Sequence, residues 1–339
     1  MRQSTKWCLA AILCGAGLGV MNVTAQVLPP PPAAHASSAE IPTFTSDLKE
    51  VTLYVSVLDR DGKMIPDIPR ANFKVTENGI EQEIKQFRRE DVPVSMCILI
   101  DGSGSMKDKH SRVTAAALAL VRASNKDDEV CFVNFNDDYY KDQGFTNDIT
   151  KLEEAMERID NRGGTAMRDA LSATIDYVKT EGKREKKVIV IVTDGNDNAS
   201  NKTTLEDLLR RVRDSEVLVY SIGLLSEEEK SEANKAKRAL NQLAEVSGGF
   251  AYYPKDLGDV ESITPQIAHE IRNQYMLAYT PEIATLDGSY HRLKVEVKNV
   301  PRSTIRHRAG YYAGTPATAT PPKPPAAAPK ASVVKPNSK

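Results

Sequence analysis

Val94-Ser95-Met96-Cys97-Ile98-Leu99-Ile100 runs straight into Asp101-Gly102-Ser103-Gly104-Ser105-Met106. The first seven residues form an almost unbroken apolar segment of strand length. Such a run suits a parallel strand buried on both faces, which need not alternate. From Met106 to Asn125 the spacing of Val113, Ala116, Ala117, Leu120 and Val121 predicts a helix. The motif between them is therefore a strand-to-helix turn at the carboxyl end of a central strand, where open α/β sheets place their ligands. Two glycines permit a tight bend, and one carboxylate and two hydroxyls are left at the crevice. An oxygen-only set suits a hard cation such as Mg²⁺, with Mn²⁺ or Ca²⁺ as alternatives.

Two further stretches are expected to converge on the first. Asn161-Arg162-Gly163-Gly164-Thr165-Ala166 is a glycine loop that delivers one hydroxyl at a helix start. Val188–Thr193 reads as a buried strand running into Asp194-Gly195-Asn196-Asp197. In a doubly wound sheet the loops at neighbouring strand ends meet at the switch point. Asp101, Ser103, Ser105, Thr165 and Asp194 are thereby collected, with no nitrogen or sulfur ligand among them. That inventory fits an octahedral Mg²⁺ site retaining waters better than a Zn²⁺ site.

The Asp-x-Ser-x-Ser, Gly-Gly-Thr and Thr-Asp-Gly motifs, in that order, resemble the metal-ion-dependent adhesion site of von Willebrand factor type A (VWA) domains. The resemblance spans about Val92 to Asn273. Glu77-Asn78-Gly79 and the closing Arg308-Ala309-Gly310-Tyr311-Tyr312 also resemble the bacterial secreted proteins called VWFA-related. The family implies direct coordination by Ser103, Ser105 and usually Thr165, with Asp101 and Asp194 often acting through waters. It also implies that a partner's carboxylate supplies the last ligand. If the direct protein ligands are neutral, the cation stays electrophilic toward an outside Asp or Glu. Direct ligation by Asp194 would weaken that attraction, so a loop shift could switch affinity.

The surrounding pattern fits that reading. Alternating strands and helices fill the chain from Val94 to about Gln274, the signature of a mainly parallel sheet with helices on both faces. Strands are expected at Val94–Ile100, Val130–Asn136, Val188–Thr193, Val217–Leu224 and Phe250–Tyr253, with an edge strand near Lys141–Phe145. Outside this segment the pattern is antiparallel. Val51, Leu53, Val55 and Val57 alternate with polar residues, and Phe73–Thr76 leads into a hairpin turn answered by Ile84–Arg88. Leu293, Val295 and Val297 face inward between Arg292, Lys294, Glu296 and Lys298. Neither flank has enough strands to stand alone. The expected fold is α/β, a doubly wound Rossmann-like domain at 92–273 inserted in a small antiparallel β-domain made of 47–91 and 274–312.

The chain is 339 residues, 40% hydrophobic and 27% charged, with formal net charge −1. The near-neutral balance argues against nucleic acid as a partner. Arg2 and Lys6, the apolar stretch Trp7–Met21 and Val23-Thr24-Ala25 match a secretory signal over 1–25, cut after Ala25. An uncut anchor is the alternative, but the apolar run falls short of a comfortable span of about 20 residues. The expected location is secreted or periplasmic, with no stable membrane span after cleavage. Residues 26–46 read as a flexible leader and 313–339 as a disordered Pro/Ala/Lys tail. Cys97 and Cys131 remain after cleavage. Export permits a disulfide, yet adjacent parallel strands rarely offer bridging geometry, and buried free thiols are the expectation.

An enzyme is the main rival. A metal-dependent hydrolase could use the same cation. No phosphate loop, no nucleophile elbow around Ser103 and no His-Glu-x-x-His spacing accompany it. His110 lies nearest the motif and reads as a surface helix residue. A scaffold or accessory protein with a purely structural metal is the other alternative. The favoured reading is a non-enzymatic binding module that captures an acidic residue of a protein partner.

Overall fold

The computed structural model describes residues 50–313 apart from residues 90, 196, 227 and 282–287. All of these belong to the unit Asp47–Lys339. The expected signal peptide and leader, and the tail from residue 314 onward, lie outside the described residues.

In chain order the first flank holds β1 (Val51–Leu58), β2 (Phe73–Glu77), β3 (Ile80–Gln82) and β4 (Gln86–Arg88). The middle opens with β5 (Val94–Asp101), α1 (His110–Arg122), β6 (Glu129–Phe135), β7 (Tyr139–Thr146) and α2 (Ile149–Met156). It continues with α3 (Met167–Glu181), β8 (Lys186–Thr193), α4 (Leu205–Ser215), β9 (Leu218–Gly223), α5 (Lys230–Ser247), β10 (Ala251–Tyr252) and α6 (Asp259–Asn273). The second flank holds β11 (Tyr275–Tyr279), β12 (Tyr290–Val297), β13 (Thr304–Arg306) and β14 (Gly310–Tyr312).

The middle strands form one sheet in the order β10-β9-β8-β5-β6-β7. Every pairing in it is parallel except that of the edge strand β7 with β6. Along β5, Met96, Ile98 and Ile100 pack with residues of α1, α2 and α6, while Cys97 and Leu99 pack with α3, α4 and α5. Both faces are thus apolar, which is why the strand reads as a continuous run. Each fully buried Ile or Leu contributes about 1.5–3 kcal/mol of transfer free energy. After β5 the chain moves to β6 on one side, and after β8 it moves to β9 on the other. The winding therefore reverses between β5 and β8, and the crevice opens at their carboxyl ends.

Helix ends follow local chemistry. Thr204 caps α4 by accepting the Asp207 N–H at 3.1 Å. Gly248, at φ +85°, closes α5 in the left-handed conformation. On α5, Leu240, Leu243 and Val246 are buried, and none of the charged residues before them on the helix is.

The flanks form two four-stranded sheets, β13-β1-β11-β4 and β14-β12-β2-β3. Each mixes strands from before and after the middle segment: Leu53 faces Leu277, and Val75 faces Val295. Val55, Val57, Phe73, Tyr275, Tyr279 and Leu293 join them in one shared core. Buried Glu270 of α6 ties this layer to the central sheet, accepting from Ser56 Oγ of β1 and from the Tyr252 hydroxyl, both at 3.0 Å.

Three details correct the sequence reading. The hairpin turn is present, with Asn78 at φ +50° and Gly79 at φ +87° as a primed turn requires. Its second strand is Ile80–Gln82, however, whereas Gln86–Arg88 pairs with β11 in the other sheet. Gly310–Tyr312, part of the closing motif and assigned no element from sequence, is a strand that pairs with β12. Cys97 and Cys131 form a disulfide, contrary to the expected free thiols. The two are direct partners across β5 and β6, fully buried, with Cα atoms 4.5 Å apart. Parallel neighbours at the same level and on the same face bring the sulfurs together here.

Candidate functional site

Asp101 ends β5 at the crevice, and its carboxylate is fully buried. One oxygen, Oδ1, accepts the Ser103 N–H at 2.9 Å; the other, Oδ2, accepts the Thr193 hydroxyl of β8 at 2.6 Å. Burial pushes its pKa up to about 6, against the lowering effect of these hydrogen bonds, and the nearby Asp194 adds to the rise. The carboxylate is well held, and it makes no ion pair among the described residues.

The following residues do not enter the helix at once. A single 3₁₀ turn spans Gly104–Met106, with buried Met106 anchoring it, and α1 starts only at His110. The helix expected from Met106 is shorter by that turn. Ser103 and Ser105 hydroxyls lie 3.1 Å apart on the turn. Ser105 Oγ donates to Asp194 Oδ1 at 3.0 Å. Asp194, directly after β8, is fully buried, whereas Ser105 is exposed to solvent.

The glycine loop closes the third side. The Arg162 N–H donates to the Gly102 carbonyl at 2.9 Å, and the Gly104 N–H donates to the Gly163 carbonyl at 3.2 Å. Gly163 has φ +75°, and a Cβ there would stand 2.1 Å from Asp137 Oδ2, so only glycine fits. Asp137 in turn accepts the Gly164 N–H at 2.9 Å. The Thr165 N–H donates to Asn198 Oδ1 at 2.9 Å, and its carbonyl accepts the N–H groups of Asn198 and Ala199. Its hydroxyl points toward Gly195, 3.8 Å from where a Cβ on that glycine would stand. Asp197 accepts the Arg168 N–H at 2.7 Å and fixes the start of α3.

All five sequence-predicted residues therefore meet at one crevice. Ser103, Ser105, Asp101 and Asp194 form a hydrogen-bonded chain, and Thr165 flanks it. Among the described residues no three His, Cys, Asp or Glu gather as a metal-binding group. The cluster instead offers three hydroxyls and two carboxylates. This donor set, with buried Asp101 making no ion pair among the described residues, fits a hard divalent cation and not a soft one. His110 plays no part in the hydrogen-bonded chain, and burial lowers its pKa.

Two residues at the site escaped sequence reasoning. Thr193 was legible as the first residue of Thr-Asp-Gly, yet its role depends on sheet register: Ile100 is level with Val192, so Asp101 is level with Thr193. Lys109 falls within the helix expected over Met106–Asn125 and belongs to none of the three motifs. Its ammonium lies 2.5 Å from Asp194 Oδ2, and its side chain is 7% exposed. The signal was its spacing: Lys109 stands four residues after Ser105, which brings a long side chain back over the preceding turn.

The family pattern described as von Willebrand factor type A domain matches residues 95–266, just over half the chain, and takes in all five crevice residues. The chain belongs to the von Willebrand factor type A domain family. As a class, VWA domains mediate protein–protein interaction. One similar curated protein is calcium-activated chloride channel regulator 1 of Equus caballus, 24% identical over 169 residues, 48% of this chain. The chain spans 17% of that relative's length. Three similar solved structures each have a TM-score below one half. A von Willebrand factor type A protein from Catenulispora acidiphila has TM-score 0.47 and 12% identity, covering 81% of this chain and 76% of that one. The vWF domain of a type V pilus tip protein from Porphyromonas gingivalis has TM-score 0.44 and 13% identity over 53% of this chain and 95% of that one. Proximal thread matrix protein 1 of the mussel byssus, described with a zinc-occupied MIDAS motif, has TM-score 0.44 and 16% identity over 57% and 49%. Among the described residues of this VWA protein, no helix is long and apolar enough to cross a membrane.

Proposed function

We propose that this VWA domain captures an acidic residue of a protein partner through a divalent cation, Mg²⁺ or Mn²⁺, held at the crevice. Asp101, Ser103, Ser105, Thr165 and Asp194 are the residues that would hold it. The observation that carries this reading is the hydrogen-bonded chain from Asp101 through the Ser103 N–H and the Ser103 and Ser105 hydroxyls to Asp194 at the switch point, with two buried carboxylates behind three hydroxyls. When bound, the cation supplies a positive centre able to accept one more oxygen ligand from outside. Ser105 is the hydroxyl nearest solvent, so the approach is from its side. Thr193 and the Ser103 N–H hold Asp101 in place, and the ties from Asp137 and Asn198 hold the glycine loop. A carboxylate is favoured over an amide because its full charge is attracted in a partly desolvated crevice. We place the protein in the cell envelope or outside the cell, on the strength of the export-type leader.

Water-proton relaxation tests this. Mn²⁺ bound to the protein should enhance relaxation strongly. Acetate should then reduce the enhancement by displacing bound water, whereas acetamide at the same concentration should not. Equal effects of the two would show that the site does not select a carboxylate.

A further inference from the structure

Asp194 is the pivot of the crevice, and its two oxygens are already engaged differently. Oδ1 takes the Ser105 hydroxyl at 3.0 Å, and Oδ2 takes the Lys109 ammonium at 2.5 Å. Both Lys109 and Asp194 are buried. An ion pair at this depth is far less screened than one on the surface, so the positive charge acts on everything in the crevice. The backbone fixes the arrangement. The Lys109 N–H donates to the Met106 carbonyl at 3.0 Å, and the Lys109 carbonyl accepts the Val113 N–H at 3.1 Å. Lys109 thus sits at the junction of the 3₁₀ turn and α1. Beside it lies an open cleft of about 320 Å³, lined also by Arg112, Leu224, Lys255 and Asp256.

Resting on the metal-capture reading above, we propose that Lys109 sets the cation and ligand affinities of the site: its ammonium holds Asp194 back from direct coordination and adds a fixed positive charge beside the cation. Two consequences follow from the charges alone. With Asp194 engaged by an ammonium, a divalent cation meets one uncompensated carboxylate, Asp101, instead of two. It binds less tightly and keeps more of its positive charge. An incoming carboxylate then gains attraction from both the cation and the ammonium. Lys109 is therefore a positioning residue, acting through Asp194.

The experiment is calorimetric titration of the full chain with Mn²⁺, in wild type, Lys109→Met and Lys109→Arg, with circular dichroism as the check on folding. Methionine keeps the length of the side chain and removes the charge; arginine keeps the charge. Lys109→Met should bind Mn²⁺ about tenfold or more tighter than wild type, since a charge of the same sign within a few ångströms has been removed from a buried site. Lys109→Arg should stay close to wild type. In the relaxation assay, Lys109→Met should need more acetate than wild type to displace water. A silent wild type with a binding Lys109→Met also supports the inference, the ammonium then excluding the cation outright. Lys109→Met binding Mn²⁺ no more tightly than a binding wild type overturns it while leaving metal capture intact. Binding by neither protein overturns metal capture itself. If Lys109→Met does not fold, Lys109→Gln, which keeps a donor toward Asp194 without the charge, is judged by the same outcomes.

Discussion

Ser105 Oγ and Asp194 Oδ1 lie 3.0 Å apart although 89 residues separate them in sequence. One comes from the turn after β5 and the other from the end of β8. Adjacent strands wound in opposite directions make that contact possible, and the crevice is its consequence. The chemistry of the site follows from the reversal of winding rather than from any single loop.

Thr193 gives the first test. Its hydroxyl is the donor to Asp101 Oδ2 at 2.6 Å in a fully buried setting. Thr193→Val keeps the shape and leaves that oxygen short of a partner. The metal-free protein should lose about 1–3 kcal/mol in urea unfolding, the cost of an unsatisfied buried acceptor. The loss should shrink when Mg²⁺ is added, because the cation compensates Asp101.

The second test concerns pH. Lys186 begins β8, and its ammonium donates to the Ile271 carbonyl and lies 4.6 Å from the centre of the Tyr54 ring. Burial lowers its pKa to about 7, against the opposing pull of Glu270, Asp91 and Asp128. In the unfolded chain the group titrates near its ordinary value of 10.5. Between the two values the unfolded state binds more protons, so this group makes stability rise with pH from about 7 upward. Below pH 7 its penalty is fully present. Lys186→Met should flatten that rise and leave the protein at least as stable at neutral pH. Denaturant unfolding of both proteins at pH 7, 8 and 9 would show it.

The disulfide joins two strands of the central sheet across 34 residues of sequence. Replacing both Cys97 and Cys131 by alanine should lower stability by about 2–4 kcal/mol, mainly by freeing the unfolded chain. Cation binding should survive, because Ile98, Leu99 and Ile100 still separate Cys97 from Asp101. Thermal unfolding paired with a metal titration checks both statements.

Leu53 and Leu277 face each other across β1 and β11, both fully buried, from opposite flanks of the chain. Leu53→Ala and Leu277→Ala should each cost about 2–5 kcal/mol. The double variant should depart from additivity, as contacting residues do. Strict additivity would mean that the flanks are not energetically joined at this pair.

Much of this architecture was readable in residue types. β5, β6, β8 and β9 stand out because burial on both faces requires continuous apolar runs, and Asp101, Ser103, Ser105, Thr165 and Asp194 stand out because three motifs end such strands or open helices. What was not readable depends on register and on side chains that reach across elements. Ile80-Glu81-Gln82 carries no clear alternation, so its pairing with β2 was hidden behind the more apolar Ile84–Arg88. The Cys97–Cys131 bridge requires the two strands to align at one level, which spacing along the chain does not specify. Lys109 looks like any charged residue at the start of an amphipathic helix; only the extra 3₁₀ turn before α1 folds it over Asp194.

The most direct measurement is calorimetric titration of wild type and Asp101→Ala with Mg²⁺ and Mn²⁺. Asp101 supplies a fully buried carboxylate at the crevice, so wild type should bind one cation per chain. Asp101→Ala should show no measurable binding while keeping an unchanged circular dichroism spectrum. Equal affinity in the two proteins would contradict it.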